Sequence, residues 1–176
     1  MVGIDETREF KPIRIGILIM SDTRTLETDT SGQWLAGAIE AAGHEVAGRK
    51  IITDDVAKIQ AAITEWRDAD DVDVVITSGG TGLTGRDVTP EAVMPMLDKI
   101  IDGFSAVFHR VSYDAIGLST LQSRAFGGVA GTTFVFCLPG SNGAVKDGWN
   151  KVLKDQLDSR HRPCNFVELI PRLNEA

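Results

Sequence analysis

The sequence predicts an α/β domain with a mainly parallel sheet covered by helices on both faces. Three observations carry this. Apolar runs at residues 13–20, 46–52 and 72–77 have the length and composition of buried strands, the segments between them repeat their apolar residues at helical spacing, and the links are short. Strand, helix, strand, helix, strand with short links implies crossover connections, which leave neighbouring strands parallel and bury both faces of the sheet.

The first strand, residues 13–20, is mostly Ile, Leu and Met and ends at Ser21 and Asp22. Trp34, Leu35, Ala38, Ile39 and Ala42 then fall on one helical face, with Thr30 or Ser31 placed to cap the start and Gly43 to end it. After the second strand, Ile59, Ala62, Ile63 and Trp66 mark a second helix, entered through Asp54 and Asp55, whose carboxylates suit a helix N-terminus. The third strand runs into a glycine-rich loop at 78–87. Thr89 and Pro90 read as an N-cap and first helical position, and Pro95 limits that helix. Residues 104–126 read as partly helical from the register of Phe104, Val107, Phe108 and Val111; Gly127 and Gly128 read as a turn; residues 132–138 read as a fourth strand. Pro139, Gly140 and Ser141 break that strand, Val145, Trp149, Val152, Leu153 and Leu157 carry the last long helix, and the tail from 160 to 173, with Pro163 and Pro171, reads as an extended arm. The expected organisation is a flexible N-terminal segment at 1–12, one domain at 13–158, and a C-terminal arm at 159–176 packed on the domain or on a neighbouring subunit.

Composition excludes several classes of function. With 18 basic against 25 acidic side chains, the chain carries a formal charge of −7, and its Lys and Arg are scattered, so nucleic acid is not an expected partner. No apolar run approaches the length that spans a bilayer, and the charged start of the chain lacks the apolar core of a signal peptide, so the expectation is a cytoplasmic protein with no membrane partner. Cys137 and Cys164 show neither zinc spacing nor a disulfide framework and are expected to be reduced and structural. His44, His109 and His161 show no metal spacing and are expected at the surface or an interface, while Trp34, Trp66 and Trp149 are expected to pack in the core. Val107, Phe108 and Phe166 suit either the core or a subunit interface.

In an open parallel sheet, ligands bind outside the carboxyl ends of the strands. Four loops there combine small hydroxyl residues, glycines and carboxylates: Ser21, Asp22 and Thr23; Thr53, Asp54 and Asp55; residues 78–87; and Pro139, Gly140 and Ser141. Glycines let a backbone approach closely, hydroxyls donate hydrogen bonds and carboxylates take a metal, so together they suit a phosphate-bearing ligand with a divalent cation. Each loop taken alone is also what turns and helix caps look like. The loop from Ser78 to Asp87 holds four glycines in ten residues. No Lys stands where a Walker loop needs one, and Gly80, Gly82 and Gly85 fit the G-x-G-x-x-G of dinucleotide sites, although after the third strand and short of a helix.

The run Gly79-Gly80-Thr81-Gly82, followed by Arg86-Asp87-Val88-Thr89-Pro90-Glu91-Ala92, resembles the signature of the molybdopterin-binding MoaB and MogA proteins and the related gephyrin G domain. Gly117-Leu118-Ser119-Thr120, Ser123-Arg124-Ala125, the Leu138-Pro139-Gly140-Ser141 turn and Arg162-Pro163-Cys164-Asn165-Phe166 resemble the MoaB branch, and the likeness extends over residues 13–173. The resemblance implies a three-layer α/β/α, MogA-like fold, a homotrimer or a hexamer of trimers, and a role in molybdenum cofactor synthesis. In the active members of that family the terminal phosphate of molybdopterin attacks the α-phosphorus of Mg-ATP and pyrophosphate leaves.

Position by position, the resemblance makes Asp54 and Asp87 the expected catalytic residues and Mg²⁺ ligands. Ser78, Gly79, Gly80, Thr81 and Gly82 would cradle phosphate, with Ser21 and Asp22 beside the nucleotide or the pterin. Ser119, Ser123, Arg124, Pro139, Gly140 and Ser141 match the part that receives the pterin and its phosphate. The implied co-substrate is ATP. Two rivals remain at the level of sequence: a non-catalytic pterin-binding or assembly protein of the same fold, and a nicotinamide-dependent oxidoreductase resting on the glycine spacing.

Overall fold

The computed structural model describes residues 2–69 and 71–175. The strands are β1 (Gly3–Ile4), β2 (Arg14–Met20), β3 (Glu45–Ile52), β4 (Val74–Ser78), β5 (Lys99–Ile100), β6 (Phe126–Ala130), β7 (Thr133–Leu138) and β8 (His161–Arg162). The helices are α1 (Thr30–Ala41), α2 (Val56–Arg67), α3 (Thr89–Val93), α4 (Asp102–Ile116), α5 (Asn142–Gly148) and α6 (Lys154–Gln156), the last two joined by a π-helical stretch at Trp149–Leu153. Six strands form one sheet in the order β3-β2-β4-β7-β6-β5, and β1 pairs with β8 as a separate ribbon.

The alternation of side chains along the central strands explains the three layers. Ile15, Ile17 and Ile19 of β2, Val74 and Ile76 of β4, and Phe134, Phe136 and Leu138 of β7 face one side, where Leu35 and Ile39 of α1, Phe104 and Phe108 of α4, and Val145 and Trp149 cover them. Leu18, Met20, Val75, Val135 and Cys137 face the other, under Ile59, Ile63 and Trp66 of α2 and Ala92 and Val93 of α3. Each such side chain, fully removed from water, contributes about 1.5–3 kcal/mol. Two glycines thin the second layer: a Cβ on Gly16 would lie 3.1 Å from the Trp66 ring and one on Gly48 3.5 Å from it, so the indole lies flat across β2 and β3.

The pairings β2–β3, β2–β4 and β4–β7 are parallel, as the crossover pattern requires. The other edge departs from expectation. Gly127 and Gly128 do not form a turn; they lie within β6, which runs antiparallel to β7 and to β5. A Cβ on Gly127 would meet Phe136 at 2.7 Å, and one on Gly128 would meet the Lys99 carbonyl at 2.6 Å, so both glycines are demanded by close neighbours inside a sheet.

Helix starts also differ in detail. Asp29, not Thr30 or Ser31, caps α1, its Oδ1 accepting from Gly32 N–H at 3.0 Å. Val88 precedes α3 without a side-chain cap, and the Thr89 hydroxyl instead donates to the Gly79 carbonyl at 2.9 Å. Asp55 caps α2 by accepting from Lys58 N–H. The tail is not simply extended: it holds β8 and a 3₁₀ turn at Ile170–Arg172, and Phe166 packs with ring centroids 5.0 Å from Phe134 and 5.3 Å from Phe136. Phe108 and Trp149 are buried, Trp34 is half-buried, and Val107 stays exposed. His44, expected at the surface or an interface, is buried within the chain, with Ile13 N–H donating to its Nδ1. Cys137 is buried and Cys164 exposed, both as free thiols. Among the described residues no helix is long and apolar enough to cross a membrane.

Candidate functional site

Because β2, β4 and β7 are parallel neighbours, the loops that follow them open on one rim of the sheet. Backbone contacts weld these loops together. Ser21 N–H donates to the Ile52 carbonyl at 2.8 Å, which brings the end of β3 alongside; Gly79 N–H donates to the Leu138 carbonyl at 3.0 Å; and the Ser78 hydroxyl donates to the Pro139 carbonyl at 3.3 Å. Gly140 lies so near Gly79 that a Cβ on it would fall 3.2 Å from the Gly79 Cα. Between the loops lies a cavity of about 520 Å³, lined by Ser21, Gly79, Gly80, Thr81, Gly82, Asp87, Ser119, Ser123, Pro139, Gly140 and Ser141 among the residues the sequence singles out.

The glycine-rich loop is shaped around two carboxylates. Gly79 and Gly80 take φ of +111° and +63°, the left-handed region that favours glycine. A Cβ on Gly80 would fall 2.5 Å from Asp54 Oδ1, and one on Gly82 would fall 2.7 Å from Asp87 Oδ2. Glycine therefore stands at each place where the loop crosses a carboxylate. Thr89 holds the loop from below, its N–H donating to the Gly80 carbonyl at 2.9 Å and its hydroxyl to that of Gly79.

The two carboxylates differ in electrostatic state. Asp87 Oδ2 accepts from the Thr84 hydroxyl at 2.6 Å and from Thr84 N–H at 2.9 Å, and these bonds, the hydroxyl above all, hold its carboxyl below the usual range. Asp54 is pushed upward, first by burial and then by the charge of Asp87, and its Oδ1 is buried without a hydrogen-bond partner. A cation shared by the pair would satisfy that oxygen and remove the repulsion. Among the described residues no group of three or more His, Cys, Asp or Glu is assembled for a metal, so Asp54 and Asp87 are the carboxylates here that could hold one.

Four of the singled-out residues lie outside the cavity lining. Asp54 stands behind Gly80, Ser78 beneath the loop, and Asp22 at the rim in an ion pair with Arg86. Arg124 braces the loop from outside: its Nε donates to the Gly82 carbonyl at 2.8 Å, its Nη2 to the Asp87 carbonyl at 2.9 Å, and its Nη1 pairs with Glu91. Its own N–H donates to the Thr81 carbonyl at 2.9 Å. Ser141 both lines the cavity and caps α5, accepting from Ala144 N–H at 3.2 Å.

The lining also includes Thr23 of the first candidate loop and residues that sequence reasoning passed over: Met20, Arg24, Ser112, Ile116, Gln122 and Ala144. Ser112 and Ile116 arrive on α4 and Gln122 on the 3₁₀ stretch Gly117–Gln122, a wall whose placement depends on packing far along the chain. Arg24 had a local signal, since a capping Asp five residues on gives a guanidinium an anchor. The glycine spacing does not lead into a helix as dinucleotide sites require: Arg86, Asp87 and Val88 intervene, and α3 has five residues.

Known proteins agree with this architecture. Residues 16–159 match the family model described as a probable molybdopterin binding domain. The chain is 46% identical over 158 residues to molybdenum cofactor biosynthesis protein B of Escherichia coli (strain K12), covering 90% of this chain and 93% of that protein. It is 49% identical over 148 residues to the protein of the same name from Bacillus cereus, covering 84% and 88% of the two chains. A crystal structure of molybdenum cofactor biosynthesis protein B superposes with a TM-score of 0.86 at 42% identity, over 96% of this chain and 100% of that one. The rim cavity, the glycine loop crossing two carboxylates and the match over most of its length agree that this chain belongs to the molybdopterin-binding domain family of the molybdenum cofactor biosynthesis proteins.

Proposed function

We propose that the chain acts in molybdenum cofactor biosynthesis by binding molybdopterin in the rim cavity and adenylylating its terminal phosphate with Mg-ATP. The observation that carries the reading is the pairing of Asp54, whose buried Oδ1 lacks a partner, with Asp87, under a glycine loop shaped to pass both. Asp54 and Asp87 would hold the Mg²⁺, which when bound would offset the charge of the phosphates.

A phosphate oxygen of molybdopterin forms the new bond to the α-phosphorus of ATP, the bond from that phosphorus to the bridging oxygen breaks, and pyrophosphate leaves with the electron pair. The attacking phosphate is already anionic at neutral pH, so no strong general base is required; positioning and charge neutralisation carry the rate. The chain's own contribution is to hold the reactants. The backbone of residues 79–82 faces the cavity without side-chain cover at the glycines, Thr81 and Ser123 line it, and Asp87 stays ionised because Thr84 hydrogen-bonds it. The anionic product is thus handled by backbone dipoles and a metal in a protein whose net charge of −7 would otherwise oppose it.

The proposal extends to a cytoplasmic homotrimer or hexamer, for which exposed Tyr113, Ile116, Leu118 and Leu121 on α4 and the following turn provide apolar surface. The test is pyrophosphate release by purified protein given molybdopterin, ATP and Mg²⁺. Turnover that disappears in Asp87→Ala supports adenylylation. Tight molybdopterin binding without release above the Asp87→Ala level replaces it with a carrier role.

A further inference from the structure

We infer that Arg24 is the residue that receives a phosphate group in the rim cavity, held in place by the buried carboxylate of Asp29. This rests on the reading of the cavity as a site for phosphorylated ligands, and it names the side chain that offsets their charge. Of the three arginines near the site, only Arg24 lines the cavity. Arg86 stands exposed at the rim against Asp22, and Arg124 lies outside the cavity lining, its Nε, Nη1 and Nη2 each holding a contact there, to the Gly82 carbonyl, Glu91 and the Asp87 carbonyl.

The anchoring of Arg24 is asymmetric. Its Nη1 donates to the Ser31 hydroxyl at 2.7 Å and pairs with Asp29 Oδ1 at 3.4 Å, and its Nη2 reaches the Gly140 carbonyl at 3.3 Å. Among the described residues Nε has no protein acceptor, and Nη2 has a second N–H beyond its one long bond. Two donors on one side of the fork are thus free to meet a phosphate, the planar recognition at which guanidinium excels. Asp29 is fully buried, and its Oδ1 collects Gly32 N–H, the Ser31 hydroxyl and Arg24 together. The carboxylate is locked by the helix it caps, so it fixes the guanidinium in turn. Half-buried, Arg24 faces a cavity whose remaining polar lining, apart from Asp87, is hydroxyl, amide and backbone, and among the described residues it supplies the only cationic side chain there.

The test compares wild type with Arg24→Ala, Arg24→Lys and the double variant Arg24→Ala/Asp29→Asn, using molybdopterin, Mg-ATP and inorganic phosphate as separate titrants in calorimetry. The double variant removes the buried charge that Arg24→Ala would strand, so it reports binding even if the single variant folds poorly. Expected is at least about tenfold weaker binding of a phosphorylated ligand in both Ala variants, with Arg24→Lys between them and wild type. A loss confined to molybdopterin or to Mg-ATP supports the inference and identifies whose phosphate is held. Ala variants that bind all three titrants as wild type does overturn it while leaving the cavity's function intact. Phosphate binding that depends on Arg24, in a protein that binds neither molybdopterin nor Mg-ATP, would keep the inference and sink the functional reading. Wild type binding none of the three would overturn both.

Discussion

Gly80 lies against the carboxylate of Asp54 so closely that a methyl group on Gly80 would fall 2.5 Å from Oδ1. The same methyl would collide with the Thr89 hydroxyl that ties the loop to α3, and Gly80 holds a φ of +63° that other residues rarely adopt. Gly80→Ala should therefore displace Asp54 and loosen the loop together. The expected outcome is a stability loss of about 1–2 kcal/mol in urea titration and a fall in pyrophosphate release on the order of a hundredfold.

The asymmetry between Asp54 and Asp87 separates stability from function. Asp54 is half-buried beside a like charge, so Asp54→Asn should leave the melting temperature in metal-free buffer unchanged or raised. Asp87→Asn should lower it, because the carboxylate loses charge-assisted bonds from Thr84. Both should lack the extra thermal stability that the proposed function predicts for wild type with Mg²⁺ and nucleotide. A melting series with and without Mg-ATP checks all three expectations; Mg²⁺ protection that survives in Asp54→Asn would remove Asp54 from the metal site.

Much of the central fold was legible because it rests on local pattern. The alternation at Ile15, Ile17 and Ile19 and the helical register of Leu35, Ile39, Ile59 and Ile63 are set by which face each residue must bury, and the structure buries all of them. The β6 edge was not, since Gly127 and Gly128 carry turn chemistry and become strand residues only through the bulk of Phe136 and the approach of β5. The same holds for the site. Loops at strand ends announce themselves by composition, whereas the cavity's α4 wall at Ser112 and Ile116, and the diversion of Arg124 to brace the glycine loop, depend on contacts distant in sequence.

Gly127 turns that lesson into a measurement. Its missing side chain leaves room for Phe136 and Phe104, within 2.7 Å and 3.2 Å of where a Cβ would stand. Gly127 is not among the glycines of positive φ, so an alanine there meets no backbone penalty and its cost reports packing alone. At this over-packed strand position Gly127→Ala should cost about 1–3 kcal/mol in urea titration.

His44 gives the fold a pH dependence on the acid side. Burial pushes its imidazole below the usual 6.5, and the opposing attraction of Asp158 does not cancel the effect. The unfolded chain thus binds this proton more readily than the folded one, so the stabilising contribution is complete above the unfolded value of 6.5 and declines as pH falls through the interval down to the lower folded pKa. Unfolding free energies measured from about pH 7.5 down to about pH 5 should fall, and His44→Gln should flatten that part of the curve. A slope unchanged by the substitution would assign it to other groups.

Arg124 tests whether the loop needs a positive charge or a brace. Three of its nitrogens reach three separate acceptors on Gly82, Asp87 and Glu91, a spread that only a planar fork can satisfy at once. A lysine keeps the charge and can reach one of them. If Arg124 acted as a phosphate receptor through its charge, Arg124→Lys should retain much of the ligand affinity that Arg124→Ala loses. As a brace it should behave otherwise: both variants should weaken Mg²⁺ affinity in the presence of nucleotide by about 10–100-fold, the range seen when a support behind a metal ligand is removed, because Gly82 and Asp87 lose the same clamp in each. Molybdopterin binding measured without metal should stay within a few-fold of wild type in both, since the guanidinium does not line the cavity.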